Sequence, residues 1–201
     1  MSNELRDSVS IMPDKSSRTL SVLAPAKINL YLHVTGRRGD GYHLLDSLVA
    51  FADIGDRVSV RAASSFSFRV GGPYAKAFAA QELDSSPQST NLAVQAARGL
   101  SSLVKKTPDV RLDLTKNLPL AAGLGGGSSD AAAVIWALLE WWDIAPQAVR
   151  GLDDFLLSLG ADVPACMRCR PVRMRGIGEK ITDVPDLPEI PVLLVNPQKS
   201  C

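Results

Sequence analysis

Residues 119–130 read Pro119-Leu120-Ala121-Ala122-Gly123-Leu124-Gly125-Gly126-Gly127-Ser128-Ser129-Asp130, and an alanine-rich helical pattern follows at once. A glycine-rich turn that feeds a helix N-terminus can bind anions. Backbone N–H groups lie bare there, and the helix dipole adds partial positive charge at the same point. Gly123, Gly125, Gly126 and Gly127 remove the side chains that would hold a phosphate away from the backbone. Ser128 and Ser129 can cap the helix or offer hydroxyls to a phosphate or to Mg²⁺. A flexible turn without a ligand is the other reading. No Lys follows the glycines, so this is not a Walker A loop. Gly123, Gly125 and Ser128 come near the dinucleotide-binding spacing, but Lys116-Asn117-Leu118-Pro119 is a poor lead-in from a buried parallel strand. A phosphate held here needs a countercharge from elsewhere in the chain.

Lys27 is one candidate. Within 20–34, Val22, Ile28, Leu30, Leu32 and Val34 share one strand parity, while Lys27 and Asn29 take the other. Lys27 either serves an anion or faces water. Thr35 to His43 is a turn-rich loop ending in Tyr42, which could offer a flat face to a base, and His43, which could offer a hydrogen-bonding edge. A surface turn with a half-buried Tyr is the alternative. Leu159-Gly160-Ala161-Asp162-Val163-Pro164 follows a helical pattern that ends by Ser158. Gly160 suits the helix end, and Asp162 is expected on a short connector before an extended stretch, either as a functional carboxylate or as a turn residue.

Taken in order, Pro25–Leu30, Gly39–His43, Pro119–Ser129 and Gly160–Pro164 resemble the motifs of the GHMP family of small-molecule kinases. Gly176-Ile177-Gly178-Glu179 and Asn196-Pro197 add to the resemblance, which covers roughly residues 20–200. Within the family, Asp40-Gly41-Tyr42-His43 is similar to members whose small-molecule substrate carries a cytidine diphosphate group. The resemblance implies that Pro119–Ser129 wraps the phosphates of ATP, with Mg²⁺ accompanying the nucleotide. It implies that Lys27 and Asp162 form the catalytic pair, that Asn29 lies near the substrate, and that Tyr42 and His43 contact the cytosine.

Phosphoryl transfer has a loose transition state, so catalysis rests on positioning and charge stabilisation. Asp162 would orient the acceptor hydroxyl and take its proton. A carboxylate with a pKa of about 3.9 is too weak to ionise an alcohol beforehand, so proton transfer comes late. Lys27 would hold Asp162 ionised and shield charge on the moving group.

These groups need elements to hold them. The patterns predict a strand over 20–34, a loop over 35–42, a mixed segment over 43–54 and strands near 56–61 and 65–70. A helix over 91–104, a strand over 110–115, helices over 128–142 and 146–158, and strands after 164 complete the order. Asn91 is the expected cap of the first helix, with Ala93, Val94, Ala97, Leu100 and Val104 as its apolar stripe. The order suggests an α+β sandwich. The resemblance implies the GHMP two-domain fold, whose N-terminal domain is a ribosomal-protein-like left-handed β-α-β fold. The expected divisions are a disordered tail over 1–19, the ATP-binding domain over 20–165, and the start of a C-terminal domain over 166–201. Relatives continue past residue 201 into a third motif and a second aromatic, so an incomplete chain of weak stability and weak or absent activity is expected. A catalytically inactive remnant that binds nucleotide or only a partner, and another small-molecule kinase of the same family, are the alternatives.

The chain of 201 residues is 46% hydrophobic and 21% charged, enough for a buried core in a soluble protein. Its net charge of +1 argues against a nucleic-acid binder. Arg168, Arg170, Arg173 and Arg175 read as the polar face of one strand. Cys166 and Cys169 have metal-pair spacing but lack a second pair, so free thiols in a reducing cytoplasm are expected. Cys169 also stands where relatives often carry Gly. His33 is expected as a hydrogen-bonded structural residue. The N-terminal segment lacks the apolar stretch of a signal peptide, and the apolar run at 131–142, broken by Glu140, is too short to span a membrane.

Overall fold

The computed structural model describes residues 18–39 and 41–196. Most of the tail expected over 1–19 lies outside this range, although Thr19 already belongs to the first strand. Six strands form one sheet. Strands β1 (Thr19–Arg37) and β2 (His43–Ala62) make a long antiparallel hairpin. On the other edge of β2, β4 (Val110–Thr115) pairs with Arg57–Ala62, and β5 (Val172–Gly176) pairs with Leu45–Val49. Outside these lie β3 (Ser67–Gly71), parallel to β4, and β6 (Lys180–Asp183), antiparallel to β5. The parallel pair β3 and β4 is joined through helix α1 (Leu92–Val104), which gives the expected β-α-β unit. The domain boundary expected at 166 falls within helix α4 (Val163–Arg168), and β5 and β6 continue the same sheet.

The mixed segment over 43–54 is strand throughout. Its alternation is hidden because Asp46, Ser47, Asp53 and Asp56 interrupt the apolar pattern. The loop expected over 35–42 shrinks to the few residues between Arg37 and His43. The helix expected over 146–158 divides into a single 3₁₀ turn at Pro146–Ala148 and helix α3 (Leu152–Leu159). Gly151, at φ 76, separates them in a left-handed conformation that suits glycine. The extended stretch expected after Asp162 begins instead with helix α4, whose first turn accepts Pro164 because the N–H groups there lack intrahelical partners anyway.

Helix α2 (Gly126–Trp141) is the centre of the molecule. It packs against α1, α4, β1 and β2. Apolar residues surround it on nearly every side, as expected of a helix with no solvent face. Ala131, Ile135 and Leu138 are fully buried with Val94 and Leu100 of α1 and with Leu20, Val60 and Leu112 of the sheet. Alanines let α2 lie close to its neighbours. Asn91 caps α1 as expected, its side-chain oxygen accepting from the Ala93 N–H at 2.9 Å.

The apolar parity of β1 divides in two. Val22 is buried with the core, but Leu30, Leu32 and Val34 are exposed. The register explains the division. Between Pro25/Gly55 and Lys27/Phe51, β2 carries extra residues, and between Asn29/Val49 and Tyr31/Leu48, β1 carries one. Such bulges re-aim side chains and change which face they occupy.

Candidate active site

The same irregularity turns Lys27 inward. Pro25, Ala26 and Lys27 are buried in succession, which regular alternation forbids. The Lys27 N–H donates to the Leu124 carbonyl at 2.9 Å, which ties β1 to the glycine-rich loop. A Cβ on Gly125 would stand 3.0 Å from Lys27 Cε and 3.1 Å from its Cβ, so the lysine stem lies where a side chain would be. Gly125 also has a left-handed φ of 62 as the residue that opens α2. Both facts require glycine there.

Lys27 Nζ sits 3.2 Å from Asp162 Oδ2 and donates to Asn29 Oδ1 at 3.1 Å. The lysine side chain is 6% exposed and that of Asp162 is 38% exposed. The ammonium therefore forms the floor and the carboxylate the rim. Asp162 occupies the N-cap position of α4, yet its side chain does not cap the helix. Its carboxylate turns to Lys27 instead, a local rule broken where chemistry would need it.

The N-terminus of α2 opens beside this pair. No side chain caps it, and Ser129 N–H donating to Gly125 O at 2.9 Å is an early intrahelical bond. The N–H groups of Gly126, Gly127 and Ser128 precede that bond and are the natural anion donors. Ser128 lies near Gly160, its Oγ 4.0 Å from where a Cβ on that glycine would be. Ser129 is buried, and its hydroxyl donates to Cys166 Sγ at 3.4 Å. That leaves Ser128 as the hydroxyl beside the glycine bend. Ala121 adopts a left-handed φ of 52, and Gly123 one of 73, so the loop from Pro119 through Leu120, Ala122 and Leu124 is tightly folded.

Sequence reasoning did not find the cluster beneath the loop. Lys116, Asp56 and Asp130 are all buried. Lys116 Nζ pairs with Asp56 Oδ2, and with Asp130 Oδ2 at 2.8 Å. Asp56 Oδ1 accepts from the Asn117 and Leu118 N–H groups at 2.6 and 2.8 Å, which pins the chain where it leaves β4. Asp130 Oδ1 is buried without a hydrogen-bond partner. Burial pushes the Asp130 carboxyl up to about 7, with Lys116 pulling it down and Asp56 pushing it up. Burial opposes the Lys116 ammonium, but the two carboxylates more than offset this and raise it. The available signal was a lone carboxylate near the start of an alanine-rich apolar helix, with a lysine just upstream of the glycines.

Tyr42 and His43 are exposed at the hairpin end. Arg37, which pairs with His43, is ten residues beyond Lys27 along β1, with register shifts between them. Asn29 belongs with Lys27, and Tyr42 and His43 lie at the turn end of the hairpin. His33, expected as a hydrogen-bonded structural residue, is exposed, its ring tilted against Tyr31 at 5.2 Å between centroids. The arginine run is also corrected. Arg168 closes α4, Arg170 pairs with Asp183 at 2.6 Å, and only Arg173 and Arg175 share a strand, with Arg173 bonded to Asp46. Cys166 and Cys169 are free, their thiols pushed up by burial to about 12 and about 11. Cys169 has a left-handed φ of 47, the conformation a glycine would favour. Among the described residues no group of three or more His, Cys, Asp or Glu could hold a metal, and no helix is long and apolar enough to cross a membrane.

A glycine bend at a bare helix end thus lies beside a lysine–carboxylate pair on this mixed sheet. Residues 91–169 match the family described as GHMP kinases N terminal domain. Two curated relatives bear the name 4-diphosphocytidyl-2-C-methyl-D-erythritol kinase. The one from Paramagnetospirillum magneticum is 46% identical over 179 residues, covering 89% of this chain and 60% of the relative. The one from Paracoccus denitrificans is 50% identical over 174 residues, covering 87% and 55%. A crystal structure of 4-(cytidine 5'-diphospho)-2C-methyl-D-erythritol kinase is 39% identical, with a TM-score of 0.64 over 82% of this chain and 55% of that one. Homoserine kinase from Cytophaga hutchinsonii, at 16% identity and a TM-score of 0.57, covering 87% of this chain and 53% of its own, shares the fold. The chain thus spans 60% or less of the length of these relatives.

Proposed function

We infer that this chain supplies the nucleotide site and catalytic pair of an ATP-dependent kinase. Its substrate is a hydroxyl of 4-diphosphocytidyl-2-C-methyl-D-erythritol, in non-mevalonate isoprenoid precursor biosynthesis. The observation that carries this reading is the Lys27–Asp162 pair at 3.2 Å beside the uncapped N-terminus of α2. The identity with relatives of that name supports the substrate.

The donor set fits a triphosphate. The N–H groups of Gly126, Gly127 and Ser128 would hold its oxygens, and the left-handed Gly125 keeps the loop close enough for them to do so. Mg²⁺–ATP, when bound, supplies the transferable phosphoryl group and part of the charge neutralisation. An ammonium has three donors. Asp162 and Asn29 account for two on Lys27, and the third faces the developing charge. The rim position of Asp162 lets its carboxylate orient the acceptor hydroxyl and take the proton as the bond to phosphorus forms. Tyr42 and His43 would meet the cytosine end of the substrate, far along the hairpin from the reacting hydroxyl.

The test is phosphoryl transfer from ATP to a panel of alcohols: the cytidylated methylerythritol, homoserine and mevalonate. Transfer to the first alone is expected. ATP binding without transfer to any of them would identify the inactive remnant instead, and preferential transfer to another alcohol would overturn the substrate.

A further inference from the structure

The turn between β5 and β6 touches the site from behind. Gly178 is buried at φ 120, a conformation that L side chains rarely adopt. A Cβ there would stand 3.1 Å from the Ala161 carbonyl oxygen, 3.2 Å from Ala161 Cβ and 3.3 Å from Met174 Cε. Ala161 immediately precedes Asp162. The turn is itself braced: the Ile177 N–H donates to Glu179 Oε2 at 2.6 Å, and the Gly178 N–H to the Arg175 carbonyl at 3.3 Å. From the other side the Asp162 backbone is held by α4, whose Cys166 N–H donates to its carbonyl at 3.0 Å. The Asp162 side chain makes no capping bond, and its carboxylate is on the rim. On the other side, Lys27 is fixed by the loop backbone and by Gly125. One partner of the pair thus abuts the glycine-rich loop, and the other follows a residue that packs against a turn distant in sequence.

We propose that Gly178 is a positioning residue: the β5–β6 turn is the backstop that sets the height of Asp162 against Lys27. The inference rests on the kinase reading for its kinetic consequence, but its structural content does not depend on it. Met174 Cε is the end of a long side chain and can swing aside, but the two nearer contacts, the Ala161 carbonyl and Cβ, cannot. An added methyl therefore moves the Ala161–Asp162 segment by tenths of an ångström or more, while α2 and the nucleotide loop stay in place.

The experiment compares wild type, Gly178→Ala and the double variant Gly178→Ala/Ala161→Gly. Val60→Ala, a core change in the sheet, serves as the control for lost stability. Three quantities are read: kcat, nucleotide affinity by equilibrium binding, and the ¹⁵Nζ resonance of Lys27. Gly178→Ala is expected to lower kcat by about 10–100-fold, the scale of a small misplacement of a reacting group. Nucleotide affinity should stay unchanged and the Lys27 resonance should move. The double variant should recover part of kcat and return the resonance toward wild type, because the Cβ–Cβ contact is gone. Val60→Ala should lower the unfolding temperature without moving the resonance. An unmoved Lys27 resonance in Gly178→Ala would overturn the proposal, as would a loss of nucleotide affinity in step with kcat. If wild type transfers no phosphoryl group, the kinase reading fails, and the resonance alone decides the role of Gly178.

Discussion

The two ends of the β1–β2 hairpin are built to different rules. At the α2 end the strands are covered by the helix, Lys116 is buried between two aspartates, and the buried Lys27 pairs with Asp162 at the rim. At the far end Leu30, Leu32, Val34 and Tyr42 face outward, and the polar contacts are surface pairs such as Asp46 with Arg173. The difference shows how one pair of strands can serve two purposes. Packing against a helix holds Lys27 and its neighbours in place, whereas the outer half carries side chains that a ligand or further protein can cover. Changes at the first end should therefore cost stability and chemistry together, and changes at the second should cost little stability.

Ile135→Ala would sharpen that contrast most. Ile135 is fully buried in α2, and truncation should cost about 2–5 kcal/mol in denaturant unfolding. A loss comparable to that of a surface change would mean α2 is not the keystone. Asp130→Asn comes next. The Asp130 carboxyl is raised to about 7 in the folded protein from its ordinary 3.8. The folded state therefore holds the proton more tightly, and the resulting stability is full below pH ~4 and is lost as pH rises toward ~7, by at most about 1.4 kcal/mol per pH unit. Unfolding curves across that window should show the decline in wild type and a flatter profile in Asp130→Asn; parallel profiles would contradict it.

Gly125→Ala forces a side chain into a left-handed backbone and onto the stem of Lys27. It should cost about 1–3 kcal/mol and weaken nucleotide binding, as titration calorimetry would show. Normal affinity would break the link between the bend and the phosphate. At the other end, Leu32→Ser should change stability by no more than about 0.5 kcal/mol. A larger loss would mean that the outer half is packed in solution.

How much of this was legible in the sequence depended on whether a feature was local. The glycine-rich bend, the Asn91 cap and the α1 stripe follow from neighbouring residues, and all three appear where the pattern puts them. The inward turn of Lys27 does not, because parity assigned it to the opposite face, and only the extra residues in β2 change that. Those residues are visible in the pairing of two strands, not in either strand alone. The continuous β2 was hidden for a related reason: Asp46 and Asp56 look like loop residues until their partners, Arg173 and Lys116, arrive from distant segments. The helix after Asp162 was missed because a Pro near its start reads equally well as the beginning of an extended segment. Lys27, Asp162 and the loop came together from a resemblance in motif order; their actual distances needed the fold.

In the proposed reaction Asp162 acts on the acceptor hydroxyl while the loop and Lys27 hold the nucleotide. The most direct measurement is kcat and nucleotide affinity for Asp162→Asn beside wild type. Loss of a positioned proton acceptor should lower kcat by about 10²–10⁴-fold, with nucleotide affinity retained. Turnover close to wild type in that variant would contradict the assignment.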